Sequence, residues 1–191
     1  NQEPSAPGPA IITFFQEGCT GDFSTGFANQ FPQAFTDWRD VVCLENTGAY
    51  DPNDKAARPV GFLDPHYIYP ETPLTYTIRF QNTGTDTAFT VVVRDTLSDD
   101  LDVRTFQAGP SSHAYTAYLE DNDLSFTFED IMLPDSFVNE PASNGFVTFT
   151  IAPKAELPLP TEIRNRAGIY FDFNEPIITN TVLHTVDTAY L

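Results

Sequence analysis

Between Leu74 and Gln81 apolar and polar side chains alternate without a break, and this pattern constrains the fold more than any other feature of the chain. Leu74, Tyr76, Ile78 and Phe80 share one parity, and polar residues fill the other. Successive side chains of a β-strand point to opposite faces, so the pattern indicates a strand with one buried face.

The same alternation recurs downstream and predicts an all-β domain. It resumes in four further runs, which are Phe89–Leu97, Val147–Ile151, a long strand Ile163–Phe173, and a last strand Thr181–Val186. Tyr115–Leu119 and Leu124–Phe128 flank an Asn/Asp-rich turn and predict a hairpin. No apolar series of helical period persists, so we expect an antiparallel β-sandwich over residues 59–191.

Composition and charge exclude two classes of partner. The chain contains 17 Phe and 8 Tyr, which supply enough apolar surface for a core. Its net charge of -18 repels nucleic acid phosphates and anionic membranes and favours divalent cations. No apolar run approaches the roughly 20 residues of a membrane-spanning helix. The first residues show no signal peptide, so we expect a soluble, processed or excised piece of a longer polypeptide.

The N-terminal segment has a different character from the rest of the chain. Residues 1–10 are rich in proline and predict an extended arm or linker. Residues 11–50 contain Cys19 and Cys43, and the simplest interpretation is a disulfide formed in an oxidising compartment, with two unpaired buried thiols as the alternative.

Two short strands are predicted in this segment, Ile11–Gln16 and Arg39–Leu44. So short a segment cannot enclose a core of its own, so its strands must lie against the following domain or against another chain. The second possibility predicts self-association, with the strands completing the sheet of a neighbouring copy and building an oligomer or filament.

A set of motifs in order resembles a known but uncharacterised family. The motifs are DPNDK at 51–55, LTYTIRFQNTG at 74–84, TAFTVVVRDTL at 87–97, LPDS at 133–136, GFV at 145–147, IYFDFN at 169–174 and PIITNT at 176–181. They resemble an Ig-like domain found next to the C-terminal sorting domain of large bacterial proteins exported by type IX secretion. The resemblance implies a β-sandwich, an extracellular or cell-surface location and no established activity, with residues 51–58 as the junction before the sandwich.

The junction also concentrates oxygen ligands. Asp51, Asn53 and Asp54 offer three hard side chains, and Asp172 and Asn174 share a strand face that could bring further oxygens to the same edge. The sequence therefore suggests a calcium site. The alternative is an ordinary type I turn, which Asp followed by Pro favours without any ion.

A second structural hypothesis concerns Lys55 and Asn180, which lie near the first and last strands. Some surface Ig-like domains join such a pair by an isopeptide bond. That chemistry needs a buried carboxylic acid beside the pair, and none is identifiable in the sequence. Asn165 falls on the buried parity of its strand and is interpreted as a structural residue that hydrogen-bonds a neighbouring loop.

No catalytic residues are predicted. Ser111, Ser112 and His113 are adjacent, but neighbours on a strand face opposite sides and no positioned acid accompanies them. His66 and His184 are scattered singly, which argues against a zinc centre. We therefore expect a non-catalytic structural or adhesive module. The alternative is a carbohydrate- or protein-binding module of a secreted enzyme. Such a module needs an exposed aromatic platform, and the single tryptophan, Trp38, belongs to the N-terminal segment, where packing explains it as well as binding.

Overall fold

A computed structural model describes residues 52–188. The chain divides into two units between Tyr50 and Asp51, and the described residues belong to the second unit. The predicted arm, the strands Ile11–Gln16 and Arg39–Leu44, the cysteine pair and Trp38 lie outside the described residues.

Within residues 52–188 the chain forms strands joined by turns and two short helical segments. The strands are β1 (Asp54–Arg58), β2 (Tyr67–Ile68), β3 (Leu74–Gln81), β4 (Val91–Thr96), β5 (Leu101–Ser111), β6 (Thr116–Glu120), β7 (Asp123–Phe128), β8 (Asn144–Pro153), β9 (Thr161–Asn165), β10 (Ala167–Phe171), β11 (Ile177–Ile178) and β12 (Val182–Val186). A helix α1 (Ser136–Asn139) and a 3-10 turn (Pro141–Ser143) precede β8. In this range no helix is long and apolar enough to cross a membrane.

The strands form three sheets that enclose one core. A four-stranded sheet has the order β1-β3-β8-β5, a five-stranded sheet the order β11-β10-β4-β7-β6, and a small sheet the order β2-β12-β9. All pairs are antiparallel except β2 with β12. Phe80 of the first sheet lies 5.3 Å from Phe128 and 6.3 Å from Phe171 of the second, measured between ring centroids. The prediction of an all-β antiparallel sandwich is confirmed.

Several details differ from the prediction because alternation reports burial and not strand partners. The predicted long strand divides at Arg166, where β9 pairs with β12 and β10 pairs with β4 in another sheet. The predicted β6–β7 hairpin is present. The irregular strand β5 was missed, since register shifts interrupt its alternation.

The predicted junction over residues 51–58 is mostly a strand. Asp54–Arg58 form β1 and pair with β3 at the edge of the four-stranded sheet. In β1 the side chains of Lys55 and Ala57 are buried and those of their neighbours are not. This alternation places the side chain of Lys55 in the core.

Gly145 of β8 allows the close packing of an aromatic side chain. A Cβ atom at this position would lie 2.2 Å from Cε2 of Phe80, which is buried. Gly145→Ala is therefore expected to destabilise the domain by about 1–3 kcal/mol through overpacking. Urea unfolding would measure this, with Gly168→Ala as the control, because an added Cβ there meets nothing nearer than 3.5 Å. Equal stability of the two variants would contradict the prediction.

Candidate functional site

The most unusual feature of the core is a buried lysine. Lys55 is 1% exposed, and its Nζ forms an ion pair with Oδ2 of Asp95. A lysine normally extends its ammonium group to water, and burial of that charge without compensation is costly. The pair therefore marks a site where the sequence accepts an energetic penalty inside the core.

Asp95 reaches this position because it lies on the buried parity of β4. Val91 and Val93 share that parity and are fully buried, and Asp95 itself is 1% exposed. Its second carboxylate oxygen, Oδ1, makes no hydrogen bond. Asp95 is not among the predicted site residues, although its alternation with the two valines indicates a buried acid.

Aromatic rings enclose the ammonium group. Nζ of Lys55 lies 4.5 Å from the ring centroid of Tyr76 and 5.4 Å from that of Phe149. Both rings are buried, and their centroids are 5.2 Å apart. The rings exclude water from the pair and offer their π faces to the cation.

Asn165, the last residue of β9, completes the cluster. It is 2% exposed, and neither atom of its amide group makes a regular hydrogen bond. Its side chain nevertheless lies close enough to Asp95 and to the Tyr76 hydroxyl to lower the pKa of each. The prediction that Asn165 hydrogen-bonds a neighbouring loop is therefore wrong, because its amide faces the buried acid.

Burial shifts the protonation equilibria of this cluster. It lowers the pKa of Lys55 to about 8, against an opposing effect of Asp95. It raises the pKa of Asp95, against an opposing effect of Lys55. It also raises the pKa of Tyr76, which stays protonated as a hydroxyl. Both members of the ion pair are thus driven towards their neutral forms, an amine and a carboxylic acid.

Asn180 contacts Lys55 through the main chain and not through the ammonium group. Its Oδ1 accepts from the Lys55 N–H at 2.8 Å, and its Nδ2 donates to the Lys55 carbonyl at 2.9 Å. Asn180 is exposed, whereas the Lys55 side chain is buried. Lys55 and Asn180 are therefore adjacent, but the side-chain amide of Asn180 hydrogen-bonds the main chain at the outer edge of β1.

The predicted calcium ligands have other partners. Asp51 lies outside the described residues. Oδ1 of Asn53 accepts from the Gln81 N–H at 3.2 Å, and Asp54 forms an exposed ion pair with Arg79.

Their predicted partners at the other strand end are also engaged. Oδ1 of Asp172 accepts from the N–H groups of Phe89 and Thr90, at 3.0 and 2.7 Å, and Asn174 is exposed. Within residues 52–188 no group of three or more His, Cys, Asp or Glu side chains is gathered for a metal. Calcium binding stays a prediction.

His184 is a second buried titratable group, separate from the cluster. Its Nε2 is 2.9 Å from the Pro59 carbonyl, its Nδ1 has no partner, and its ring centroid is 6.4 Å from that of His66. Burial lowers the pKa of His184, opposed by the bond to Pro59 and aided by His66. The folded protein therefore holds this imidazole neutral.

A pH dependence follows from His184. The unfolded chain binds the proton more readily, so this contribution to stability is complete above about pH 6.5 and is lost as the pH falls below it. His184→Gln retains a donor towards Pro59 and is expected to flatten the loss of stability between neutral pH and about pH 5. Urea midpoints across that range would measure it, and an unchanged slope would contradict the prediction.

Comparison with known proteins assigns the chain to a family. The model of a family described as a domain of unknown function, DUF7619, matches residues 51–185. The chain belongs to this family. The residues matched to DUF7619 include Lys55, Asp95 and Asn165, so the buried cluster lies inside the family's domain. No curated protein matches the chain.

Solved structures show a shared fold. The major pilin SpaD of Corynebacterium diphtheriae is 21% identical, with a TM-score of 0.52 over 69% of this chain and 34% of that one. The N-terminal domain of the Streptococcus gordonii adhesin Sgo0707 is 13% identical, with a TM-score of 0.50 over 73% of this chain and 33% of that one. The chain spans about a third of each of these proteins. The DUF7619 domain thus has the fold of pilin and adhesin domains.

Proposed function

We propose that this DUF7619 domain is a non-catalytic, load-bearing module of a bacterial surface or released protein, held together by an isopeptide bond between Lys55 and Asn165. One observation carries the proposal. A buried lysine, a buried carboxylic acid and an asparagine amide without regular hydrogen bonds converge in a dry aromatic enclosure.

The energetics of the cluster favour a reaction. A buried ion pair costs several kcal/mol of desolvation for each ion, of which mutual attraction recovers only a part. Asp95 also leaves Oδ1 without a partner, and both amide atoms of Asn165 lack one. Conversion of the ammonium to an amide nitrogen removes the charge from the core, so the product is better suited to this enclosure than the starting pair.

The reaction needs no cofactor. Lys55 passes a proton to Asp95, and the neutral amine attacks Cγ of Asn165. The new C–N bond forms as the bond from Cγ to Nδ2 breaks. Asp95 returns its proton to Nδ2, which leaves as ammonia, and takes up the second amine proton, so that Asp95 ends as a neutral carboxylic acid. One amine and one primary amide become one secondary amide and one ammonia molecule.

The bond would add a covalent link between parts of the molecule that otherwise meet through packing, an ion pair and side-chain hydrogen bonds. Lys55 lies in β1 at the edge of the four-stranded sheet, and Asn165 lies in β9 of the small sheet. Asp95 belongs to the five-stranded sheet. A covalent link at this position would hold the first strand to the core against unfolding or tension.

Intact mass tests the bond directly. After reduction, the full chain is expected to be lighter than its sequence mass by one ammonia molecule. Lys55→Met should restore the full sequence mass of the variant. The only other lysine, Lys154, is exposed, so Lys154→Met serves as the matched control and should keep the loss.

Peptide mapping identifies the partner of the lysine. Trypsin does not cleave after a crosslinked lysine, and Arg58 precedes a proline, so a crosslinked Lys55 stays in the peptide 40–79. A bond to Asn165 adds a dipeptide to 40–79, whereas a bond to Asn180 adds the peptide 167–191. The dipeptide supports the proposal, the longer peptide supports the Asn180 hypothesis instead, and an unmodified lysine overturns both.

The wider context extends the proposal. The resemblance to sandwich domains beside sorting domains, together with a fold found in a pilin and an adhesin, supports a place in a large secreted surface protein. Export by the type IX route is part of this proposal. Its test is whether the parent protein reaches the cell surface when that route is disabled.

Assembly through strand exchange is a second part of the proposal. The observation that favours it is the outer edge of β6, which ends the five-stranded sheet and is mostly exposed. An open edge of this kind can accept a strand from a neighbouring copy. Electron microscopy of the full chain is expected to show filaments or oligomers that Ala117→Lys disperses. A wild-type chain that stays monomeric at high concentration would contradict strand exchange and leave the proposed isopeptide bond untouched.

A binding role is the alternative function. Phe89 and Phe173 are exposed and line a shallow depression with Thr90 and Asp172. Exposed aromatic rings are the usual platform for sugars or protein partners. A glycan array probed with the full chain tests this, and binding lost on Phe173→Ala would support it.

A further inference from the structure

The first strand of the domain and the segment that leads into its last strand run side by side in the same direction. Asn180 hydrogen-bonds Lys55, and four residues later His184 contacts Pro59, four residues after Lys55. The segment 180–184 therefore runs parallel to β1 and in register with it. A pull on the residues before β1 and after β12 thus acts at opposite ends of the domain.

We infer that the domain responds to tension in two parts, a covalently closed loop of residues 55–165 that does not extend and a C-terminal segment of residues 166–188 that does. This inference rests on the proposed Lys55–Asn165 bond. Tension that enters at Lys55 passes through the bond to Asn165 and leaves along the chain after it. The covalent path then bypasses the backbone of residues 56–164, which cannot be extended. Of the described residues, only 166–188 can be drawn out, because they lie between the bond and the distal end.

The contacts of the segment 166–188 determine how it yields. Its strand β12 pairs with β9, with Val182 opposite Asn165 and Val186 opposite Thr161. The anchor at Asn165 and a pull beyond Val186 act on opposite ends of this ladder. All of its hydrogen bonds are loaded together in shear, so β12 resists first.

After β12 slips, the remaining contacts release in sequence. β11 has only two residues, and Thr179 holds the segment through the Ala167 N–H at 3.0 Å. β10 is bound on both sides, to β4 and β11. Among the strands of this segment it alone has a neighbour on each side within the five-stranded sheet, so it is expected to leave last.

Chain geometry gives the lengths. At about 3.3–3.6 Å per residue, the 23 described residues 166–188 extend to about 80 Å. Without the bond, the chain between Lys55 and Asn165 adds about 110 residues and about 380 Å more. The released lengths with and without the bond therefore differ severalfold.

Single-molecule pulling of the full chain between two handle domains tests the inference. The N-terminal 51 residues contribute equally to every variant, so differences between variants report on this domain. Wild type and Lys154→Met are expected to release the short length, and Lys55→Met the long one. Asp95→Asn, whose side chain has the same shape, is the second unbonded variant and should also release the long length.

A further variant addresses the extensible segment itself. Asn180→Ala removes the two hydrogen bonds to the main chain of Lys55. It should lower the force at which the segment first yields, and leave the released length and the intact mass unchanged. Two results would overturn the inference in a chain whose mass proves the bond. One is release of the long length, and the other is no release before the handles rupture. Absence of the bond by mass would instead overturn the proposed function.

Discussion

Replacement of Lys55 by methionine is expected to lower the melting temperature of the domain by about 15 °C at neutral pH. A crosslink that closes a loop of roughly 100 residues stabilises a protein by about 4–5 kcal/mol in the chain-entropy model. Each kcal/mol corresponds to about 3–4 °C for a domain of this size. Methionine keeps an unbranched side chain beside the rings of Tyr76 and Phe149, so the change reports on the lost bond together with an Asp95 that has lost its partner.

Scanning calorimetry of the full chain measures this effect. Lys154→Met is the matched control, since it removes an exposed lysine and should melt with the wild type. A Lys55→Met protein that melts close to the control would show that Lys55 contributes neither a bond nor a useful ion pair.

The second large effect is expected from Asp95→Asn. This change keeps the shape of the side chain and removes the acid that exchanges protons with Lys55. Loss of a general acid–base group slows a reaction by about 10²–10⁴-fold, so the purified variant should retain the mass of the unbonded chain. Intact mass followed over days measures the rate.

A control variant and a double variant accompany Asp95→Asn. Asp54→Asn breaks an exposed ion pair with Arg79 and should bond at the wild-type rate, with a cost of at most about 1 kcal/mol. The double variant Lys55→Met/Asp95→Asn should be more stable than Lys55→Met alone. A buried acid left without its partner costs about 3–5 kcal/mol, and the double variant has no such acid. Normal bonding in Asp95→Asn would contradict the role of the acid.

The alternation of residues predicted much of the sandwich but not how its strands are shared among sheets. The run from Leu74 to Gln81 fixes which side chains of β3 face the core, and the structure agrees. The run through Arg166 reads as one strand because both halves keep the same parity. Their different partners, β12 and β4, depend on where the backbone bends, which a pattern of burial does not record.

The candidate site was predicted in part. Lys55 was singled out as a crosslinking residue, and Asn165 was recognised as a polar residue on a buried parity. The acid was missed, although Asp95 follows Val91 and Val93 at the same spacing. The place of Asn180 near the last strand predicts it as the partner, whereas its amide contacts the main chain of Lys55.

The sequence by itself determined the all-β class, the faces of the strands and the acidic surface, because each is set by the residue types and by the spacing of near neighbours. Only the tertiary structure decided that Lys55 meets Asp95, 40 positions away, with Asn165 beside them. Each of these residues lies on a strand of a different sheet. Their convergence depends on how three sheets pack together, and no local pattern in the chain encodes that packing.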